Sequence, residues 1–372
     1  VSNRREIWRD FMGRFEPSAD PRDAVERGFY VPRPGRSLAE QLAARFELKP
    51  AASHLLMGGV GSGKTTQLLV ARDRLTAHED TEAVYVDVSL SVEPNFMTST
   101  DLLAVVGIEL GRRIPKPKRP EVEQQLRQFE AVLNPSSSSW GADLEDHFVD
   151  TIGHLLRDLR QTRPHHVLLI DSLDRMSNLG LFAHLVEASI SKLRSLGMGV
   201  ILIGPLTALY GVSRTTLDRF DRTWHLPSVD VNNDEEGHRF LTDVLRARDA
   251  KHLLTPTAVN RLAVLSGGVL RDLIALTQAA GEEAYVDGAD HVEIEHVETA
   301  AEIFGRKQLF AIDSHDLAVL QRVRTKGTFV QTSEKDLALL ATRRVLEYTN
   351  GQARFAVHPT IEGLLAQIPE VA

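Results

Sequence analysis

The chain has 372 residues, of which 42% are hydrophobic and 25% charged. That length exceeds one hydrophobic core, and that composition excludes wholesale disorder and a membrane-embedded chain. Cysteine is absent, which removes disulfide frameworks, thiolate catalysis, Fe–S ligation and cysteine zinc sites together. The net charge of −8, from 43 basic and 51 acidic residues, argues against indiscriminate coating of nucleic acid.

Residues 1–35 read as an N-terminal segment, VSNRREIWRDF at its start, with no apolar run of the signal-peptide kind, so a cytoplasmic location is expected. A domain over residues 36–228 follows. SHLLMGGV (Ser53 to Val60) is a short apolar strand ending in glycines, and KTTQLLVARDRL from Lys64 has the apolar spacing of a helix. AVYVDVS (Ala83 to Ser89), HVLLID (His166 to Asp171) and GVILIG (Gly199 to Gly204) are further strands, and a fifth is expected at Thr223 to Leu226. Their near-continuous hydrophobicity predicts an α/β domain whose parallel sheet is covered on both faces. The uncharged stretch Ser195 to Ser213 carries four glycines and a proline, so it reads as a buried strand plus a loop rather than a membrane span. Between the second and third strands, residues 112–145 contain RRIPKPKRP and NPSSSSWG and read as an insertion or long loop.

After Pro227 the pattern turns helical, predicting a helical lid over residues 229–305 in which Thr255 and Pro256 start a helix. Residues 306–372 read as two helices and then RVLEYTNGQARFAVHP, where Asn350-Gly351 is a hairpin turn. That order predicts a C-terminal winged helix. The segment holds nine Lys/Arg and seven Asp/Glu, a net of +2 that leaves −10 for the rest of the chain. Any contact with nucleic acid would therefore be local. Arg343, Arg344 and Arg354 are its candidate phosphate contacts, and the run Arg112, Arg113, Lys116, Lys118 and Arg119 is either a second one or a solvated loop.

Gly58-Gly59-Val60-Gly61-Ser62-Gly63-Lys64-Thr65 matches G-x-x-x-x-G-K-[ST] in the strand–loop–helix setting that the motif requires. Its glycines let backbone N–H groups converge on phosphate oxygens at a helix N-terminus. Lys64 is placed for the β and γ phosphates, the Thr65 hydroxyl for Mg²⁺, and Thr66 for the next contact. A carboxylate is then needed at the end of a neighbouring strand to hold the metal through water, and Asp171 after four apolar residues fits that need. Asp174 could polarise the attacking water or cap the next helix. No Asn-Lys-x-Asp guanine motif is present, which favours ATP.

These segments resemble the AAA+ superfamily of P-loop ATPases, in particular its Orc1/Cdc6-like and STAND-like branch. The resemblance covers roughly Leu38 to Pro359. It implies a lid arginine, sensor 2, which Arg271 supplies within Ser266-Gly267-Gly268-Val269-Leu270-Arg271-Asp272. It also implies a polar sensor 1 after the fourth strand, for which Thr207 is the first hydroxyl, and an arginine finger acting on a neighbouring subunit, for which Arg219 and Arg222 are the candidates. Many AAA+ proteins have Asp-Glu where this chain has Asp171-Ser172, so slow hydrolysis is expected. The resemblance implies an ATP- and Mg²⁺-dependent ATPase switch that forms a homo-oligomer, contacts no membrane, and controls a separately encoded protein partner or effector, as in a conflict or defence system. A DNA-binding initiator, loader or transposition regulator that holds duplex DNA with its wing is the alternative reading. A nucleotide-sensing scaffold that does not hydrolyse ATP is a third.

Overall fold

Apolar, β-branched runs bounded by glycine or a charged residue become the inner strands of a sheet, and a shorter mixed run becomes its edge. In the computed structural model, which describes residues 2–115, 119–133, 144–349 and 353–368, these are β1 (Ser53–Gly58), β2 (Thr81–Asp87), β3 (His165–Asp171), β4 (Gly199–Gly204) and β5 (Arg222–Leu226). They form one sheet in the order β2-β3-β4-β1-β5. The ladders β1–β4, β2–β3 and β3–β4 are parallel, with Leu55 opposite Leu202, Leu168 opposite Val200 and Asp87 opposite Asp171. Every residue of β1 and β4 is buried, as the continuous hydrophobicity requires. The stretch Ser195 to Ser213 accordingly contains β4, and no helix among the described residues is long and apolar enough to cross a membrane.

The chain forms two compact units, one of Leu38–Met57 and Gln67–His225, the other of Val1–Ser37, Gly58–Thr66 and Leu226–Ala372. This grouping differs from the four expected segments, because the glycine loop and the N-terminal segment share a unit with the lid and the wing. In the sheet-bearing unit the core joins Leu55, Val84, Leu168 and Val200 to the helices Ser99–Gly111, Leu144–Leu159 and Leu179–Ser195. The stretch expected as an insertion or long loop contains the helix Arg119–Leu133, and its Phe129 is fully buried in that core. Phe129 stacks edge-on against Phe148 at 4.7 Å. The apolar spacing Val122, Leu126, Phe129, Leu133 carried this signal, and Pro120 suits a helix start rather than a loop. Lys116, Lys118, the side chain of Arg119, Ser136 to Ser139 and the Asn350-Gly351 turn lie outside the described residues.

In the other unit the lid helices Glu235–Arg248, Pro256–Leu265, Leu270–Val286 and Ile294–Gln308 enclose a core that also takes Trp8, Phe11 and Phe15 from the N-terminal helix Ser2–Arg14. Thr255 caps its helix by accepting from the Ala258 N–H, and Pro256 holds the first turn, as expected. The winged helix comprises Ser314–Lys326, the short Leu337–Ala341, the hairpin β6 (Val345–Tyr348) and β7 (Arg354–Val357), and Pro359–Ala366. The hairpin is antiparallel, with Tyr348 opposite Arg354.

Candidate nucleotide-binding site

The loop that follows β1 turns through two left-handed glycines, Gly61 at φ 80° and Gly63 at φ 92°. A Cβ on Gly61 would lie 2.5 Å from the Arg271 Cβ, so only glycine permits both the turn and the approach of the lid. The loop ends in the helix Lys64–Thr76, and the N-terminus of a helix is the end that favours an anion. Lys64 is buried and its Nζ donates to the Gly58 and Gly59 carbonyls at 2.9 and 3.0 Å. The Ser62 hydroxyl is buried without a hydrogen-bond partner. A left-handed glycine loop at a helix N-terminus, a buried ammonium and an unsatisfied hydroxyl fit a polyphosphate. Gly58 to Thr66 would hold it, and Thr65 would offer its hydroxyl to magnesium.

Arg271 comes to the same loop. Its backbone N–H donates to the Gly61 carbonyl at 3.3 Å, in the first turn of Leu270–Val286, and its side chain is exposed. The turn before it, Gly267 at φ 58° and Gly268 at φ 79°, runs against the strand-to-lid connection. The Val229 N–H donates to the Gly268 carbonyl at 3.2 Å, and a Cβ on Gly268 would stand 1.8 Å from the Val229 carbonyl oxygen. The double glycine therefore lets the lid helix start against the glycine loop.

In the sheet-bearing unit Asp171 ends β3 and is 4% exposed. One carboxylate oxygen accepts from the Ser172 N–H at 2.6 Å and the other from the Tyr85 hydroxyl at 2.8 Å. Tyr85 was not singled out in the sequence, where a tyrosine in a β-branched run reads as strand filler. Ser172 is left-handed at φ 74°, a conformation that costs a non-glycine residue about 1 kcal/mol. It leads into the turn Leu173–Arg175, which carries the partly exposed Asp174. The alternative role of Asp174, capping the next helix, falls to Asn178, whose side chain accepts from the Leu181 N–H. Thr207 precedes the four-residue helix Ala208–Gly211 and makes no capping bond with its side chain.

Arg219 and Arg222 are exposed near the start of β5, where the Asp221 N–H donates to the Ser53 carbonyl at the start of β1. This is the end of the sheet opposite the carboxyl ends of the strands. Arg222 lies 4.5 Å over the Trp224 ring, whereas the guanidinium of Arg219 reaches the Ser191 hydroxyl at 3.5 Å.

The three wing arginines are committed within their own unit. Arg343 donates to Asp272 at 2.9 Å and Arg354 to Asp230 at 2.8 Å. Arg344 donates to the Gln308 and Phe310 carbonyls at 2.6 and 2.7 Å. The Tyr348 hydroxyl donates to the Gly267 carbonyl at 2.9 Å, and Leu346 and Tyr348 pack on Val269. Leu337, Leu339 and Leu340 of the helix preceding the hairpin are buried.

Residues 48–210 match a family described as an AAA domain. No curated protein sequence matches the chain. Among solved structures, Cdc6p from Pyrobaculum aerophilum is similar at 15% identity and a TM-score of 0.51, covering 95% of this chain and 97% of that one. The Aeropyrum pernix Orc1 protein, solved in complex with DNA, has 15% identity and a TM-score of 0.49 over 92% and 94% of the two chains. The Thermotoga maritima RuvB Holliday junction branch migration motor has 16% identity and a TM-score of 0.44 over 89% and 94%.

Proposed function

We propose that this chain, an AAA+ P-loop protein of the Orc1/Cdc6-like type, is a slow ATPase switch that assembles with copies of itself and controls a separate protein partner. The observation that carries the reading is the hydrogen bond from the Arg271 N–H to the Gly61 carbonyl, which ties the lid helix to the loop that would hold the phosphates. A ligand that contacts both biases the lid toward this arrangement, and loss of its γ-phosphate weakens that bias. Bound Mg·ATP would supply a γ-phosphate open to attack by water. Gly58 to Thr66 would grip the phosphates, Asp171 would hold the hydrated metal, Asp174 would orient water, and Arg271 would meet the γ-phosphate. Tyr85 and the Ser172 N–H leave Asp171 two hydrogen bonds that fix its carboxylate plane.

The wing supports a regulatory role rather than a grip on duplex DNA. DNA contact needs several uncommitted cations, whereas Arg343, Arg344 and Arg354 serve the lid and its connection. The helix before the hairpin, where a groove-reading helix would be needed, is the five-residue LALLA, whose three leucines are buried. ATP turnover and nucleotide affinity, measured with and without a duplex oligonucleotide at two salt concentrations, test the reading. Turnover that duplex DNA leaves unchanged is expected. Salt-sensitive duplex binding that Ala at the three arginines abolishes would transfer the proposal to a DNA loader.

A further inference from the structure

Residues Phe29 to Arg33 form a segment outside helix and strand that leads from the N-terminal helices. One end is held by the lid. Phe29 is buried beneath the guanidinium groups of Arg27 and Arg248, at 4.7 and 5.2 Å, and Arg248 donates to the Phe29 carbonyl at 3.2 Å. The other end carries a fork: Arg33 donates to the Ser62 carbonyl at 2.6 Å and to the Pro227 carbonyl at 3.2 Å. Its guanidinium also lies 5.9 Å from the Phe240 ring of the first lid helix. Burial lowers its pKa to about 10, so it is charged at neutral pH.

We propose that Arg33 is a positioning residue of the nucleotide site, a strut that fixes the glycine loop at Ser62 against the strand-to-lid connection at Pro227. The inference rests on the nucleotide-binding reading above. A planar fork with two donors reaching two fixed carbonyls is work for arginine; a lysine ammonium is a single point that satisfies one carbonyl well. The strut acts on loop backbone behind the phosphates, and ADP and ATP share the phosphates that this backbone grips. Loss of Arg33 therefore weakens both nucleotides by the same factor, unlike loss of Arg271, which touches only the triphosphate.

The test titrates ADP and ATP, each with magnesium, into the full-length protein and its Arg33→Met, Arg33→Lys and Lys64→Ala variants. Arg33→Met is expected to raise both dissociation constants about tenfold, the effect of losing a charge-assisted bond, and Arg33→Lys to raise both by about threefold. In the nucleotide-free protein, amide exchange over residues 58–66 should quicken in both variants while exchange over Ile294–Gln308 does not. If Arg33→Met does not fold, Arg33→Lys decides the matter by the same two readouts. Wild-type affinity with unchanged loop exchange, or a loss confined to ATP, overturns the strut. Nucleotide affinity that survives Lys64→Ala overturns the nucleotide reading and the strut with it. Loss in Lys64→Ala without loss at Arg33 removes the strut alone.

Discussion

Replacing Arg343 by Ala tests the brace between wing and lid most directly. Asp272 follows the sensor candidate Arg271 in the chain, is 1% exposed, and accepts from Arg343 at 2.9 Å. Stripping a cation from a fully buried carboxylate costs about 3–5 kcal/mol. Two features reduce that here: the Arg343 side chain is 20% exposed, and the buried His358 has its Nε2 3.5 Å from the same carboxylate. A loss of about 2 kcal/mol is therefore expected. Arg343 is also left-handed at φ 63°, so Arg343→Gly should be less harmful than Arg343→Ala by about 1 kcal/mol. Urea unfolding of Arg343→Ala, Asp272→Ala and the double variant gives the coupling, expected at about 2 kcal/mol. Release of a fluorescent ATP analogue should quicken about tenfold in Arg343→Ala, the kinetic equivalent of 1.4 kcal/mol. Additive stability effects within about 0.5 kcal/mol, together with unchanged release, would refute the brace.

Asp171→Asn should keep nucleotide affinity and suppress turnover, because an amide cannot supply the charge that the hydrated metal needs; wild-type turnover would point to another carboxylate. Tyr85→Phe should raise the magnesium concentration for half-maximal turnover about threefold by freeing one oxygen of Asp171, and an unchanged magnesium curve would deny Tyr85 that role. Arg219, held less firmly than Arg222, is expected to be the finger: ATPase activity per subunit should rise with concentration, and Arg219→Ala should lose the rise while keeping nucleotide affinity. Flat activity in both, in protein that sedimentation shows to oligomerise, would remove the finger. Burial lowers His54 and His166 from 6.5 to about 4, so the unfolded chain binds more protons between those values and stability rises with pH across them. It should be full above about pH 6.5 and fall toward pH 4, and His54→Phe should remove about half of that slope in acid-range denaturation. An unchanged slope would show that His54 carries no such penalty.

The inner strands β1, β3 and β4 were legible because each is an apolar run that is buried almost throughout, and the glycine loop because its spacing is set by phosphate geometry. β5 starts at Arg222, one residue before the expected Thr223. The helix Arg119–Leu133 was obscured by the prolines that precede it, although a helix tolerates proline in its first turn. Phe129, which seats that helix, depends on partners such as Phe148 that local composition does not reveal.

Side chains that act through distant partners were the illegible part of the site. Tyr85 and Asp171 are 86 positions apart, Arg33 and Ser62 29 apart, and Arg343 and Asp272 71 apart. A charge count over residues 306–372 treats Arg343 and Arg354 as cations available to an external anion. The fold spends them on Asp272 and Asp230, two carboxylates of the lid and its connection that are themselves nearly buried. Such a carboxylate is stable only with a partner close by, so each of these arginines has a use inside the molecule that a phosphate could claim only by uncovering an aspartate. The wing that a sequence marks as slightly basic is therefore, by its contacts, a clamp on the segment that presents Arg271.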